Sequence, residues 1–190
     1  DKMTINKSTK KFKILERDNL WTNKSLHSLY KKAQTPLNWH KKLFYKINKL
    51  GMIGFSTPFD EESVEFLETL NVPFYKIGSF ELNHIPLIIK IAKTKKPIII
   101  SVGMGTLDEI KEALNVIKNY GKKKIIIMKC TSKYPAENSS LNLETIQDLR
   151  KRFKCEVGFS DHSLGITGAV TAVARGATVI EKHFTLDRTL

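Results

Sequence analysis

Cysteine is scarce in this chain: 190 residues hold only two, Cys130 and Cys155. Both stand in apolar or strand-like stretches without framework spacing. That argues against a disulfide scaffold or a paired metal site, and for reduced thiols in a cytoplasmic protein. Long apolar runs are missing as well, so no membrane-spanning helix is expected. Asp1 is not followed by a charged-then-apolar leader, which excludes a secretion signal from the reading. The absence of a starting Met sets the expectation that the natural N-terminus lies further upstream. No low-complexity linker interrupts the chain, and no repeat is longer than one strand-plus-helix unit.

Acidic residues are the other shortage, with 19 Asp and Glu against 32 Lys and Arg for a net charge of +13. The imbalance is regional. Residues 1–50 carry 13 basic against 3 acidic side chains, whereas residues 51–190 carry 19 against 16. The basic part has neither the Gly-aromatic nor the Cys/His signatures of nucleic-acid modules, so no nucleic-acid partner is expected. Anionic small substrates fit the charge well. A basic nucleic-acid-binding protein built on residues 1–50 stays as a rival reading.

What the sequence does contain, from residue 51 onward, is a regular alternation. Short apolar runs predict strands at 52–57, 74–79, 97–102, 124–130, 156–160 and 179–184. Helical spacing predicts helices over 61–70, 107–120 and 141–153, through Val64 and Leu67, Ile110, Leu114 and Ile117, and Leu143, Ile146 and Leu149. Asp60 ahead of two glutamates, and Thr106 three residues before Glu109, read as helix starts. Gly51, Gly121 and Gly176 follow helical runs, where a left-handed closing residue is needed. The runs Ile98–Ile100 and Ile125–Ile127 are continuously apolar, as in parallel strands covered on both faces. An α/β protein follows, and both a doubly wound sheet and a (β/α)8 TIM barrel fit the spacing. Six strands fall two short of a closed barrel. Before residue 51, residues 1–6 read as the tail of an earlier strand and 7–24 as a polar excursion. Pro36 then opens a helix running to Leu50.

In parallel α/β proteins, loops at the C-terminal strand ends shape the pocket. Here those ends carry Ser56-Thr57, Lys76-Ile77-Gly78-Ser79, Ser101-Val102-Gly103, Cys130-Thr131-Ser132-Lys133-Tyr134, Ser160-Asp161-His162 and Glu181-Lys182-His183. Hydroxyls and lysines supply donors to an anion. His162 and His183, at the ends of consecutive strands, supply imidazoles to a metal. Asp161 and Glu181 are candidate pocket carboxylates, and Glu81 is either catalytic or a helix-start charge. Lys76 suits phosphate binding. Lys129, between Met128 and Cys130, is the better candidate for the Schiff base of a class I aldolase. His27, His40 and His84 are assigned no role.

At these strand ends the sequence resembles the N-acetylneuraminate (sialic acid) synthase family, which includes the pseudaminic and legionaminic acid synthases. The stretches that carry the resemblance are Phe55-Ser56-Thr57-Pro58-Phe59-Asp60, Tyr75-Lys76-Ile77-Gly78-Ser79, Cys130-Thr131-Ser132-Lys133-Tyr134-Pro135, Ser160-Asp161-His162-Ser163-Leu164-Gly165 and Glu181-Lys182-His183-Phe184-Thr185-Leu186-Asp187. Ser79-Phe80-Glu81, and the stretch from Leu20-Trp21 to Trp39, are more similar to the pseudaminic branch.

The resemblance implies an incomplete TIM barrel showing strands three to eight, and condensation of phosphoenolpyruvate with an open-chain amino sugar. The sugar it favours is a 2,4-diacetamido-2,4,6-trideoxy hexose, giving pseudaminic acid and phosphate; an N-acetylmannosamine-type sugar is the alternative. It implies Mn2+ or Mg2+ on His162 and His183, and phosphoenolpyruvate on Thr57, Lys76, Ser79, Ser101 and Ser160. Ser132, where the sialic acid branch has Asn, and Tyr134 match sugar-side positions, with Glu81 and Glu181 as catalytic carboxylates. The first two strands of the family's barrel and its C-terminal antifreeze-like domain have no counterpart in residues 1–190. A homodimer is expected of the full-length protein, and incomplete activity of these residues alone.

Overall fold

The computed structural model describes residues 12–15, 22–121 and 124–187. The chain divides into two compact units, Asp1–Gly54 and Phe55–Leu190. In the first, helix α1 (Leu26–Ala33) starts on Ser25, whose hydroxyl accepts the Ser28 amide at 3.1 Å. Helix α2 (Leu37–Lys49) starts on Pro36 and ends on Leu50, the bounds that the sequence predicts. Pro fits there because a helix's first amides have no partner to lose. Trp39 and Leu43 on α2 stay exposed, and His40 is buried with Nδ1 3.2 Å from the Pro36 carbonyl. The strand tail expected at residues 1–6 lies outside the described residues.

The second unit is built on five parallel strands: β1 (Tyr75–Ile77), β2 (Ile98–Ser101), β3 (Ile125–Cys130), β4 (Glu156–Asp161) and β5 (Ile180–Lys182). Helix α3 (Glu61–Thr69) precedes β1. Helices α4 (Ile85–Lys93), α5 (Leu107–Asn119), α6 (Thr145–Phe153) and α7 (Thr167–Ala174) fill the four crossovers. The spatial strand order is the chain order, β1-β2-β3-β4-β5. A doubly wound sheet reverses its order part-way, whereas a barrel winds in one direction only. This order therefore decides for part of a (β/α)8 barrel.

Register separates the two faces. Ile77, Ile100, Ile127 and Val157 are aligned neighbours on β1 to β4. All four are fully buried, with Leu87, Ile88 and Ile91 of α4, Leu114 and Ile117 of α5 and Ile146 of α6. Each such side chain contributes about 1.5–3 kcal/mol by leaving water. Tyr75 turns towards α3, its hydroxyl donating to Glu68 at 2.7 Å. The other face carries Ser101, Met128 and Gly158 on one register row, and Cys130, Ser160 and Glu181 on the next.

Residues 52–57, expected as a strand, form no ladder in the structure. Gly54 weakens extended pairing and Pro58 ends it by removing a donor. Helix α6 begins at Thr145 rather than 141, because Asn142 takes a left-handed φ of 45°. The capping box on α5 is present in both directions, Thr106 with Glu109. Gly51, Gly121 and Gly176 have positive φ as expected, and Asn71, Lys95 and Lys154 adopt the same conformation without being glycine.

Candidate active site at the strand ends

Lys76 on β1 and Glu181 on β5 meet in an ion pair of 2.8 Å. Glu181 Oε1 also accepts the Ser160 hydroxyl at 2.7 Å, and Ser160 Oγ lies 3.2 Å from His162 Nε2. A hydroxyl has one proton, and the shorter contact directs it to the carboxylate. His162 donates from Nδ1 to the Thr131 carbonyl at 2.7 Å, which fixes the tautomer with its lone pair on Nε2. Burial, with His183 and Lys76 adding to it, lowers the imidazole's pKa against the pull of Thr131 and Glu181. The neutral ring is thereby favoured.

Tyr134 stacks on His162 with ring centroids 4.0 Å apart and meets His183 edge-on at 5.5 Å. The two histidine rings are 5.5 Å apart. Among the described residues no third His, Cys, Asp or Glu completes a ligating group with them. The pair with a free Nε2 lone pair on His162 suits a divalent ion that draws its other ligands from substrate oxygens and water.

Burial alone would raise the Glu181 carboxyl, but the Lys76 ammonium and the Ser160 hydroxyl hold it below its ordinary value. Glu81, in the short turn of helix after β1, is different. Burial pushes its carboxyl up, against smaller pulls from its backbone hydrogen bond and Lys76. Its Oε2 is buried and has no hydrogen-bond partner among the described residues. A Cβ on Gly78 would strike that oxygen, so glycine makes the room for it.

Ser79 accepts the Gly103 amide at 3.2 Å and touches Cys130 Sγ at 3.1 Å. A Cβ on Gly103 would run into Cys130 Sγ and lie 2.9 Å from Ser132 Oγ, which places Ser132 beside this group. Ser101 is buried, and its hydroxyl has no hydrogen-bond partner among the described residues. Thr57 is half-buried in the coil before α3, and no hydrogen bond joins it to the cluster among the described residues.

Two expectations change. Asp161 is not a pocket carboxylate: successive strand residues face opposite ways, and Asp161 points away from the side shared by Ser160 and His162. There it meets Lys182 at 2.7 Å and is almost fully buried. Burial alone would raise its pKa, yet Lys182 and Ser163 together hold it below the ordinary value. Lys129 pairs in register with Phe159, on the face opposite the cluster. Its ammonium donates to Thr131 Oγ1 at 3.0 Å and to the Leu141 carbonyl, lies 5.8 Å from the Phe159 ring, and has its pKa lowered by burial. No motif announced the Cys130–Ser79 contact or the Asp161–Lys182 pair, although strand alternation could have found the second.

The whole chain, residues 1–190, matches the NeuB family. It is 41% identical over 190 residues to a pseudaminic acid synthase of Campylobacter jejuni, covering all of this chain and 55% of that one. An N,N'-diacetyllegionaminic acid synthase of the same species is 45% identical over 164 residues, covering 85% of this chain and 49% of its own. The chain thus spans about half the length of these curated relatives. Among solved structures, N-acetylneuraminic acid synthetase from Leptospira borgpetersenii superimposes with a TM-score of 0.82 at 34% identity, over 85% of this chain and 56% of that one. With the strand order and the strand-end cluster, these likenesses identify the chain as a member of the NeuB family.

Proposed function

We propose that this chain supplies most of the active-site face of a phosphoenolpyruvate-dependent nonulosonic acid synthase. The observation that carries the reading is the convergence of Lys76, Ser160, Glu181, His162 and His183 at the ends of β1, β4 and β5. Synthase relatives across the full chain support it, and pseudaminic acid synthases at 41% identity favour a 2,4-diacetamido-2,4,6-trideoxy hexose as the acceptor.

In this reading Lys76, Ser79, Ser101 and Ser160 bind the phosphate and carboxylate of phosphoenolpyruvate, with Thr57 as a further donor. The buried Ser101 hydroxyl, without a partner among the described residues, suits such an acceptor. Ser132 and Tyr134 line the sugar's side. C3 of phosphoenolpyruvate forms a bond to the aldehyde carbon, and the carbonyl oxygen becomes an alkoxide that takes up a proton. Water adds to C2, losing a proton, and phosphate leaves by C–O cleavage. One proton is thus released and one consumed. Glu81, whose raised pKa suits a carboxyl that both holds and yields a proton, carries it between them. Glu181 holds Lys76 and Ser160 at the pocket, and the Ser160 hydroxyl turns its proton from Glu181 to the anion when phosphoenolpyruvate binds.

His162 and His183 would hold Mn2+ or Mg2+, which would supply a Lewis acid for the sugar's aldehyde. Thr131 and Tyr134 keep the imidazoles oriented for that task. Among the described residues no helix is long and apolar enough to cross a membrane. In the full-length protein a homodimer and a cytoplasmic location fit this role.

The test is an assay of the full-length protein with phosphoenolpyruvate and each candidate sugar, with and without chelator. Metal-dependent phosphate release with the diacetamido-trideoxy hexose is expected. Turnover with N-acetylmannosamine alone would move the chain to the sialic acid branch. Borohydride trapping of a pyruvate adduct would support the aldolase instead.

A further inference from the structure

The ion pair behind the two histidines stands outside the mechanism above. Asp161 and Lys182 are the last register pair of the β4–β5 ladder, following Phe159 with Ile180 and Ser160 with Glu181. His162 and His183 come one residue later on each strand, where no ladder remains to align them. β5 itself is only three residues long. Ala136 pairs with the backbone at His162 and Ser163 from the other side, but no backbone pairing joins His162 to His183 beyond Asp161 and Lys182.

The side chains behind the two imidazoles do join them. Lys182 Nζ donates to Asp161 Oδ2 at 2.7 Å and to the Ser163 carbonyl at 2.8 Å. Asp161 Oδ1 accepts the Ser163 amide at 2.9 Å and its hydroxyl at 2.6 Å. One network thus grips the residue before His162, the residue after it, and the residue before His183. Asp161 has no side-chain exposure, while Lys182 is one-third exposed. Helix α7 closes on the same group: a Cβ on Gly168 would lie 2.8 Å from Ser163 Oγ and 3.2 Å from Asp161 Oδ1. Glycine lets the helix approach that closely.

We propose that Asp161 and Lys182 are positioning residues that fix the spacing and orientation of the His162–His183 pair, and through it the protein's affinity for a divalent ion. The inference rests on the synthase reading for the ion, but not for the spacing. Strand alternation makes the arrangement economical. The pair faces the helices, so it holds the histidines without entering the pocket or competing for its ligands. A general ion pair at the surface would not do this, because its long side chains adopt many geometries. Here four hydrogen bonds and a buried carboxylate leave one.

The experiment uses the full-length protein with Lys182→Met, Lys182→Arg and the double substitution D161N/K182M, which strands no buried charge. Three quantities are measured: histidine ring nitrogen shifts without metal, Mn2+ affinity from the free-ion paramagnetic resonance signal, and thermal melting. In Lys182→Met and the double variant, the His162 and His183 ring signals are expected to move while those of His27, His40 and His84 stay. Mn2+ binding is expected to weaken about ten- to a hundredfold, the range for residues that orient metal ligands. Lys182→Arg should stay within a few-fold of the parent protein. Unmoved ring signals in the folded double variant overturn the proposal, as does a lowered melting temperature with unchanged Mn2+ affinity. If the parent protein takes up no Mn2+ but the ring signals still move, the metal reading fails and the positioning role stands.

Discussion

Lys76 and Glu181 stand on the first and last strands of a five-stranded sheet, yet their charged ends are 2.8 Å apart. Laid flat, parallel strands would set β1 and β5 about 19 Å apart, more than the two side chains and their contact can span. The sheet is therefore strongly curved, and its concave face is where the polar strand ends gather.

Replacing Lys76 by Met removes the cation that faces both Glu181 and the expected anion. Phosphoenolpyruvate binding is expected to weaken roughly ten- to a hundredfold, from the loss of one charge-assisted contact of about 1.5–3 kcal/mol. The Glu181 carboxyl should rise in pKa at the same time, because Lys76 holds it down. Calorimetric titration with phosphoenolpyruvate and a carboxyl-carbon NMR titration check the two effects separately.

Glu81 gives a pH dependence whose sign is fixed by its burial. Its folded-state pKa lies above the ordinary 4.5, so the folded protein holds that proton more tightly than the unfolded chain. Stability then falls as pH rises from 4.5 through the folded value. Glu81→Gln should remove that loss: the variant melts higher than the parent at pH 7 and no higher at pH 4. Its turnover should drop by roughly a hundred- to ten-thousandfold, the range for losing a general acid–base group. Melting curves at the two pH values and a phosphate-release assay decide both points.

Gly103→Ala places a methyl group against Cys130 Sγ and close to Ser132 Oγ, on the segment whose amide donates to Ser79. Overpacking of this kind costs about 1–3 kcal/mol. A lower melting temperature and a higher KM for phosphoenolpyruvate are expected together. Thr106→Ala is the matching control: it breaks the α5 capping box, costs about 1 kcal/mol, and should leave KM unchanged.

Five of the six strands anticipated from apolar runs are present, because buried parallel strands such as Ile98–Ser101 and Ile125–Cys130 are rich in β-branched residues. Helix α7 gave little periodic signal, because TGAVTAVA is apolar nearly all round. Helix α4 does carry one, with Leu87, Ile88, Ile91 and Ala92 buried on one face and Lys90 and Lys93 off it, but its short, mostly apolar run also reads as a buried strand. The histidine pair was legible, since consecutive parallel strands place equivalent ends side by side. The Lys76–Glu181 contact was not, because it depends on curvature accumulated over four strand pairings. Asp161 looked like a pocket group only while sequence adjacency to His162 outweighed the two-residue alternation of a strand.

The most direct test uses phosphoenolpyruvate labelled with 18O in its bridging position, incubated with the full-length protein, the diacetamido-trideoxy hexose and Mn2+. Released phosphate carrying the label, only when sugar and metal are both present, is the expected result, with the signal lost in the H162A/H183A double variant. Unlabelled phosphate, or release that survives the loss of both histidines, would contradict the synthase reading.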